Sequence, residues 1–346
     1  MRCLVVGGTG FLGGAIADVL VANGHSVSIL TRGKKSKRVD PKVVSIQADR
    51  RNAHAALAGL KFDWVFDSCA YSPADIDALL NAVGDNLKRY VFVSSISAYG
   101  SFEQPNLDEE TQVPTACQED FDRADSLNPE ERSSAFSYGE SYGPLKRACE
   151  LAAEERLKDR VTSLRVGLLV GAGDYTDRLT WWVRRIDTAH GSSQTVPAPA
   201  PQDRPIQMID VRDVADFAVH CAAEKLGGVW NVTGQPTGFS TVLNEIAASC
   251  GASPSFQWIS ESAIKAADVQ PWSEIPLMAP NIDAFKHFLQ VSTQKAETAG
   301  LRCRPLAETL APLIEWDRSR RDVSLKAGMT PEQEARLLKA SESGRL

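Results

Sequence analysis

The chain has 346 residues, 43% of them hydrophobic and 24% charged, with a formal net charge of −6, which is length for one large core and a smaller dependent lobe. Without a basic surplus, nothing in this balance draws nucleic acid electrostatically. The seven cysteines are odd in number and form no CxxC pair, so they read as reduced, mostly buried thiols of a cytoplasmic protein.

The opening "MRCLVVGGTGFLGGAIADVLVANG" has the basic start of a secretory leader, but six glycines between Gly7 and Gly24 break its apolar run. It reads instead as strand, turn and a helix over 11–23. No later segment has ~18 uninterrupted apolar residues, so nothing is expected to span a membrane. Further on come "SVSILT", "VVSIQ", a helical pattern over 52–60, "DWVFDSC", a helix over 74–83, and "YVFVSS". Strands written as continuous apolar runs are buried on both faces, as in a parallel sheet between helices. The first half is therefore a Rossmann-type, doubly wound α/β sheet.

Residues 101–135 are acidic, contain Pro and Gln, and lack periodicity. They read as a long surface loop, of a length commoner for functional loops than for connectors. A helix then runs to about Lys158 and a strand follows, "VTSLRVGLLVG". The stretch "TVPAPAPQDRP" looks like a Pro-rich linker, after which "IQMIDVRDVADFAVHCAAE" and "GVWNVTG" resume strand, helix and strand. The rest is mixed, ending in a polar helix that Thr330 and Gln333 would start as a capping box. This divides the chain into a Rossmann domain, 1–173 with 206–233, and a smaller mixed α/β substrate lobe, 174–205 with 234–346.

"VVGGTGFLGGAIADVL" sets Gly7, Gly10 and Gly13 between an apolar strand and an amphipathic helix. Glycine suits a turn at positive φ and a close backbone approach to pyrophosphate, while the helix start supplies free N–H groups. Gly7, Thr9, Gly10, Phe11, Leu12 and Gly13 are thus the expected dinucleotide cradle. The next strand ends "SILTRGKKSKR", with Thr31, Arg32, Lys34 and Lys35 where an NAD site would offer Asp or Glu to a ribose hydroxyl. Cations there suit a 2′-phosphate, so NADP(H) is favoured and NAD(H) is the alternative. The competing reading is a solvated basic loop.

"GGTGFLG", "QADRR", "VFVSSISAYG" and "YGPLK" occur in this order, and on them the chain resembles the extended short-chain dehydrogenase/reductase superfamily: nucleotide-sugar epimerases, dehydratases and related carbonyl reductases. The resemblance covers residues 2–233 by motif order. Its YxxxK pattern selects Tyr142, which has Lys146 one helical turn on, whereas Tyr138 has Tyr142 there. A phenol with a free pKa near ~10 needs a neighbouring ammonium to exchange protons near neutral pH, and Lys146 is placed to supply it. Ser137 with Glu140 could cap this helix early, but Pro144 would then be interior; a start near Ser141 avoids that and leaves Tyr138 on the approach, facing substrate.

The resemblance implies further roles. Lys146 would also hold the nicotinamide ribose, and Ser95 would bond the substrate oxygen, with Ser97 the alternative. Asp49, with Arg50 beside it, would contact adenine, while Ala70 and Tyr71 would line the cofactor and substrate. The chain departs from the family in the long gap from Ser95 to Tyr142, and in Val166 where many relatives have proline. Asp177, Arg178, Trp181 and Trp182 follow the sixth strand, where relatives place substrate contacts. These four could supply a charge and a stacking surface, and Arg204 could bind a phosphate or carboxylate; the alternative is that the tryptophans are core and the arginines solvated.

The histidines His25, His54, His190, His220 and His287 have no metal-ligand spacing, and no GxSxG elbow is present. The expected function is an NADP-dependent oxidoreductase of carbonyl reductase or alcohol dehydrogenase type, acting through Ser95, Tyr142 and Lys146 on a small molecule, nucleotide sugar or secondary metabolite. Two rivals stand beside it. One is an NAD-dependent nucleotide-sugar epimerase or dehydratase that recycles its cofactor; the other is a non-catalytic cofactor sensor or RNA-associated relative. Relatives often dimerise through the helices matching 74–83 and 137–158.

Overall fold

The computed structural model describes residues 1–33, 40–84, 86–189 and 195–343; Lys34, Lys35 and His190 lie outside them. β1 (Arg2–Val6) leads through the glycine turn into α1 (Phe11–Ala22), followed by β2 (Ser26–Thr31) and β3 (Val44–Gln47). The helix expected over 52–60 shrinks to a 3-10 turn at Arg50–Asn52 and the short α2 (His54–Leu57). β4 (Trp64–Asp67) precedes α3 (Pro73–Val83), whose start is fixed by a Ser72/Asp75 capping box and Pro73 in the first turn. All seven residues of β5 (Arg89–Ser95) are buried, as its unbroken apolar run requires.

Segment 101–135 is more than a surface loop. It contains α4 (Gln118–Ser126) and a 3-10 turn at Glu131–Ser133. Phe102 is buried against Tyr99, Phe285 and Phe288, and Ala124 and Leu127 pack on Tyr138 and Leu145. These apolar anchors are too widely spaced to show as periodicity. α5 (Tyr142–Leu157) starts directly after Ser141, with Pro144 in its first turn, where the missing N–H costs nothing.

The strand read over 161–171 breaks at Gly167 into β6 (Val161–Val166) and β7 (Leu168–Val170); a Cβ on Gly167 would lie 2.5 Å from the Thr233 hydroxyl. α6 (Arg178–Asp187) follows, and then the Pro-rich stretch, which is not a linker. Its first part is β8 (Thr195–Pro199), which pairs in parallel with β13 (Ser255–Ile259) alone, so its prolines can turn their missing donors to an unpaired edge. Between them lie β9 (Pro205–Ile206), β10 (Met208–Asp210), α7 (Val211–Ala223), β11 (Gly228–Val232), β12 (Thr237–Gly238) and α8 (Phe239–Cys250). The chain ends with α9 (Glu261–Ala266), α10 (Gln294–Thr298), α11 (Leu306–Arg318) and α12 (Pro331–Ser343). The last is opened by the expected box, with Gln333 N–H bonding the Thr330 hydroxyl and Thr330 N–H bonding Gln333 Oε1.

The central sheet has seven parallel strands in the order β11-β6-β5-β4-β1-β2-β3, and its order reverses between β1 and β4. Clusters of α1 and α7 cover one face, and those of α3 and α5 the other. A third cluster gathers Trp182, Phe239, Ile246 and Leu313 with residues out to Leu337. Trp181 and Trp182 are therefore core, 7% and 0% exposed, and not a stacking surface. Among the described residues no helix is long and apolar enough to cross a membrane.

Candidate cofactor and active site

A cavity of about 510 Å³ opens at the carboxyl ends of β1, β2, β4 and β5, at the reversal of strand order. This is where open α/β sheets bind ligands. Its floor is the glycine turn. Gly7 takes φ +79°, Gly10 N–H closes the turn on Gly7 O at 2.8 Å, and a Cβ on Gly13 would lie 2.4 Å from Gly7 O. Gly10 caps α1 without any side-chain hydrogen bond, so the first N–H groups of the helix are left for an anion. Backbone packed this closely, facing a cavity that Thr9, Phe11 and Leu12 also line, fits a dinucleotide pyrophosphate.

Thr31 and Arg32 end β2 on the same cavity, and the Thr31 hydroxyl is 3.3 Å from that of Thr9. Arg32 Nη1 donates to Pro129 O at 2.6 Å and has no carboxylate partner among the described residues. Asp49 caps the 3-10 turn, accepting from Arg51 N–H at 2.9 Å. Arg50 is turned away from solvent in a two-point pair with Asp67, which also accepts from the Tyr90 hydroxyl at 2.6 Å. Burial pushes the Asp67 carboxyl up, but Arg50 and Tyr90 overcome it and hold Asp67 below the usual carboxylate range. Arg51 is likewise spent on Asp75 and Ser72.

At the other end, Ser95 closes β5 and Tyr142 opens α5. The two meet because Gly143 lets the helix touch the turn after β5: a Cβ there would lie 2.1 Å from Ser97 O. Ser95 lines the cavity beside Tyr142, close enough to lower the pKa of its phenol, whereas Ser97 lines none of it and Ser94 is drawn to Glu150 at 2.6 Å. Lys146 is 2% exposed, and its ammonium donates to Ala70 O at 2.9 Å and Val93 O at 2.6 Å. Burial lowers its pKa. Burial also pushes the Tyr142 phenol up to about 12, with only the Ser95 hydrogen bond opposing it. The expected lowering of Tyr142 by Lys146 is thus absent in this arrangement: the ammonium lies 6.0 Å from the phenol ring centre and is held by two carbonyls. Two bonds leave one of its three donors for a ribose hydroxyl.

Tyr71 lines the cavity 6.2 Å from the Tyr142 ring, while Ala70 meets the site through its carbonyl on Lys146. Tyr138 does not face the cavity. It is 1% exposed, stacks behind Tyr71 at 5.2 Å and donates to Arg132 O. Arg178 lies 4.6 Å over the Trp272 ring and Arg204 pairs with Glu261; neither lines the cavity. Sequence reading missed Tyr175, 51% exposed on the cavity, and the wall formed by Pro129 and Arg132 to Ala135. No local pattern announces them. Among the described residues no cluster of His, Cys, Asp and Glu could hold a metal.

Known proteins share this fold. UDP-N-acetylglucosamine 4-epimerase of Bacillus cereus is 19% identical, with TM-score 0.61 over 92% of this chain and 99% of that one. UDP-glucose 4-epimerase of Thermus thermophilus, solved with NAD, is 21% identical, with TM-score 0.58 over 92% and 100%. dTDP-glucose 4,6-dehydratase of Bacillus anthracis, also solved with NAD, is 13% identical, with TM-score 0.64 over 93% and 98%. At such identities the likeness is one of fold. The chloroplast stem-loop binding protein of 41 kDa b from Arabidopsis thaliana is 21% identical over 274 residues, 73% of this chain but only 64% of that protein's length. The model of the NAD dependent epimerase/dehydratase family matches residues 3–233, from the first strand of the sheet to the last, so the chain belongs to that family of NAD(P)-dependent enzymes.

Proposed function

We propose that the chain oxidises a secondary alcohol carbon of a nucleotide-sugar-class substrate and reduces it again within one turnover, as an epimerase does, with NADP(H) as cofactor. The observation that carries this reading is that Ser95, Tyr142 and Lys146 line the same cavity as the glycine turn. A bound dinucleotide would accept and return the hydride at its nicotinamide. Tyr142 takes the proton of the substrate hydroxyl and gives it back, Ser95 holds the substrate oxygen against that phenol, and the free donor of Lys146 orients the ribose. Residues 174–205 with 234–346 form the lobe that closes over substrate.

Two features support epimerisation over its neighbours. Dehydration needs a further acid and base beside the reacting carbons, but the lining carboxylates are already engaged, Asp49 with Arg51 N–H and Asp75 with Arg51, Tyr71 and Ser72. Arg32 ties Pro129 to the cofactor end, so a cofactor leaves only if that wall moves, which suits one recycled in place. Arg32 also favours a second reading, a one-way carbonyl reductase that exchanges NADP(H) at each turnover. The net charge of −6 opposes nucleic-acid binding, and so a role like the stem-loop binding carried in the Arabidopsis relative's name.

The test is to identify the nucleotide released on denaturing fresh protein, then to follow sugar stereochemistry by NMR with a panel of nucleoside diphosphate hexoses. Retained NADP(H) and an inverted carbinol without net cofactor consumption are expected. Stoichiometric NADPH consumption by a carbonyl compound would establish the second reading, and a chain that binds no dinucleotide would sink both.

A further inference from the structure

The inserted segment brings a second guanidinium to the cofactor end of the cavity. Asn128 folds the segment into a turn: its side chain accepts from Glu130 N–H at 2.9 Å and Glu131 N–H at 3.0 Å, and its carbonyl accepts from Arg132 N–H at 3.0 Å. Pro129 at the start of that turn is bound by Arg32, 97 positions earlier in the chain. One helical turn later, Arg132 lines the cavity with Thr31, Arg32 and Asp49. Its Nε is buried and has no hydrogen-bond partner.

Charge on this wall is unbalanced in one direction. Arg50 is neutralised by Asp67 and Arg51 by Asp75, while Arg32 and Arg132 have no carboxylate partner among the described residues. A buried guanidinium nitrogen without an acceptor costs free energy that a bound anion would recover. The pyrophosphate belongs at the glycine turn, so the anion between the ends of β2 and β3 and the inserted turn is carried on the adenosine. We infer that Arg132 is a specificity-determining residue which, from the inserted turn that Arg32 holds, binds a phosphate monoester on the adenosine ribose of the cofactor. The inference rests on the proposed dinucleotide site and adds to it a ligand from a segment outside the sheet. Arg32 from the end of β2 and Arg132 from the inserted turn then share one anion.

The probes are adenosine 2′,5′-bisphosphate and 5′-AMP, titrated calorimetrically into the full chain. The wild type should bind the bisphosphate tenfold or more the tighter, since each charge-assisted contact is worth about tenfold to a hundredfold. Arg132→Ala should cut that preference by about tenfold and leave 5′-AMP affinity unchanged, Arg132→Lys should restore part of it, and Arg32→Ala should act as Arg132→Ala does. Equal binding of both nucleotides by the wild type would overturn the inference alone. So would an equal loss for both in Arg132→Ala, which would make Arg132 an adenine or wall contact. Failure of the wild type to bind either nucleotide, NADH or NADPH would overturn the dinucleotide reading beneath it.

Discussion

Tyr142→Phe separates the chemistry from the architecture. The substitution keeps the ring that packs 6.2 Å from Tyr71 and removes only the hydroxyl, whose pKa Ser95 lowers. One hydrogen bond is worth about 1 kcal/mol to stability, so the melting temperature should move by a few degrees at most. General acid–base catalysis contributes about 10²–10⁴-fold, or ~3–5 kcal/mol of transition-state stabilisation at ~1.4 kcal/mol per tenfold. With the phenol pushed up to about 12, turnover that draws on its phenolate form should rise with pH in the wild type, and that rise should vanish in Tyr142→Phe. The assay is kcat on the nucleoside diphosphate hexose that the NMR panel identifies, run beside dinucleotide titration and a thermal melt. Turnover should fall by 10² or more with cofactor Kd changed less than about twofold. A fall below tenfold, or equal losses in turnover and cofactor affinity, would refute the proton-transfer role and leave Tyr142 as packing.

Two further substitutions probe what holds the cavity open. Gly13→Ala sets a Cβ 2.4 Å from Gly7 O, and should cost ~1–3 kcal/mol as an overpacked contact while weakening dinucleotide binding at least tenfold; unchanged affinity would show that the turn does not cradle phosphate. Asp67 is held below the usual carboxylate range because Arg50 and Tyr90 outweigh its burial. Its folded pKa lies below its unfolded value of about 3.9, so its stabilisation is complete above that value and is lost as pH falls through the folded one. Asp67→Asn should flatten this acid limb in denaturant titrations and, by stranding Arg50, lower stability at pH 7 by ~3–5 kcal/mol. A variant with the same acid limb as wild type would show that Asp67 is not the group responsible.

What the sequence shows well is whatever one segment decides by itself. The glycine turn and the YxxxK pair each depend on residues within one turn, and each lands on the cavity. Arg50 and Asp67 lie on different strand ends, and nothing in "QADRR" tells that Arg50 turns inward to a buried carboxylate while Arg51 is claimed by Asp75. Tyr138 failed as a substrate contact for the same reason: its stacking partner Tyr71 comes from beyond β4. The Pro-rich stretch became a strand because its partner, β13, arrives some sixty residues later.

The inserted segment is the extreme case, because its two halves answer to different parts of the fold. Residues 102–109 are tied to the C-terminal part of the chain through Phe102 on Phe285 and Phe288, and to the edge of the central sheet through Glu109 on Asn231 N–H. Residues 124–138 are tied to the cofactor side, through Leu127 on Tyr138 and through Pro129 on Arg32. Tyr138 stacks on Tyr71, and Tyr71 stands beside Tyr142. The three rings therefore stand in a row from the inserted segment to the cavity. The extra length between Ser95 and Tyr142, a departure from the family pattern in the sequence, thus packs both on Arg32 and, through Tyr138 and Tyr71, beside the ring of Tyr142.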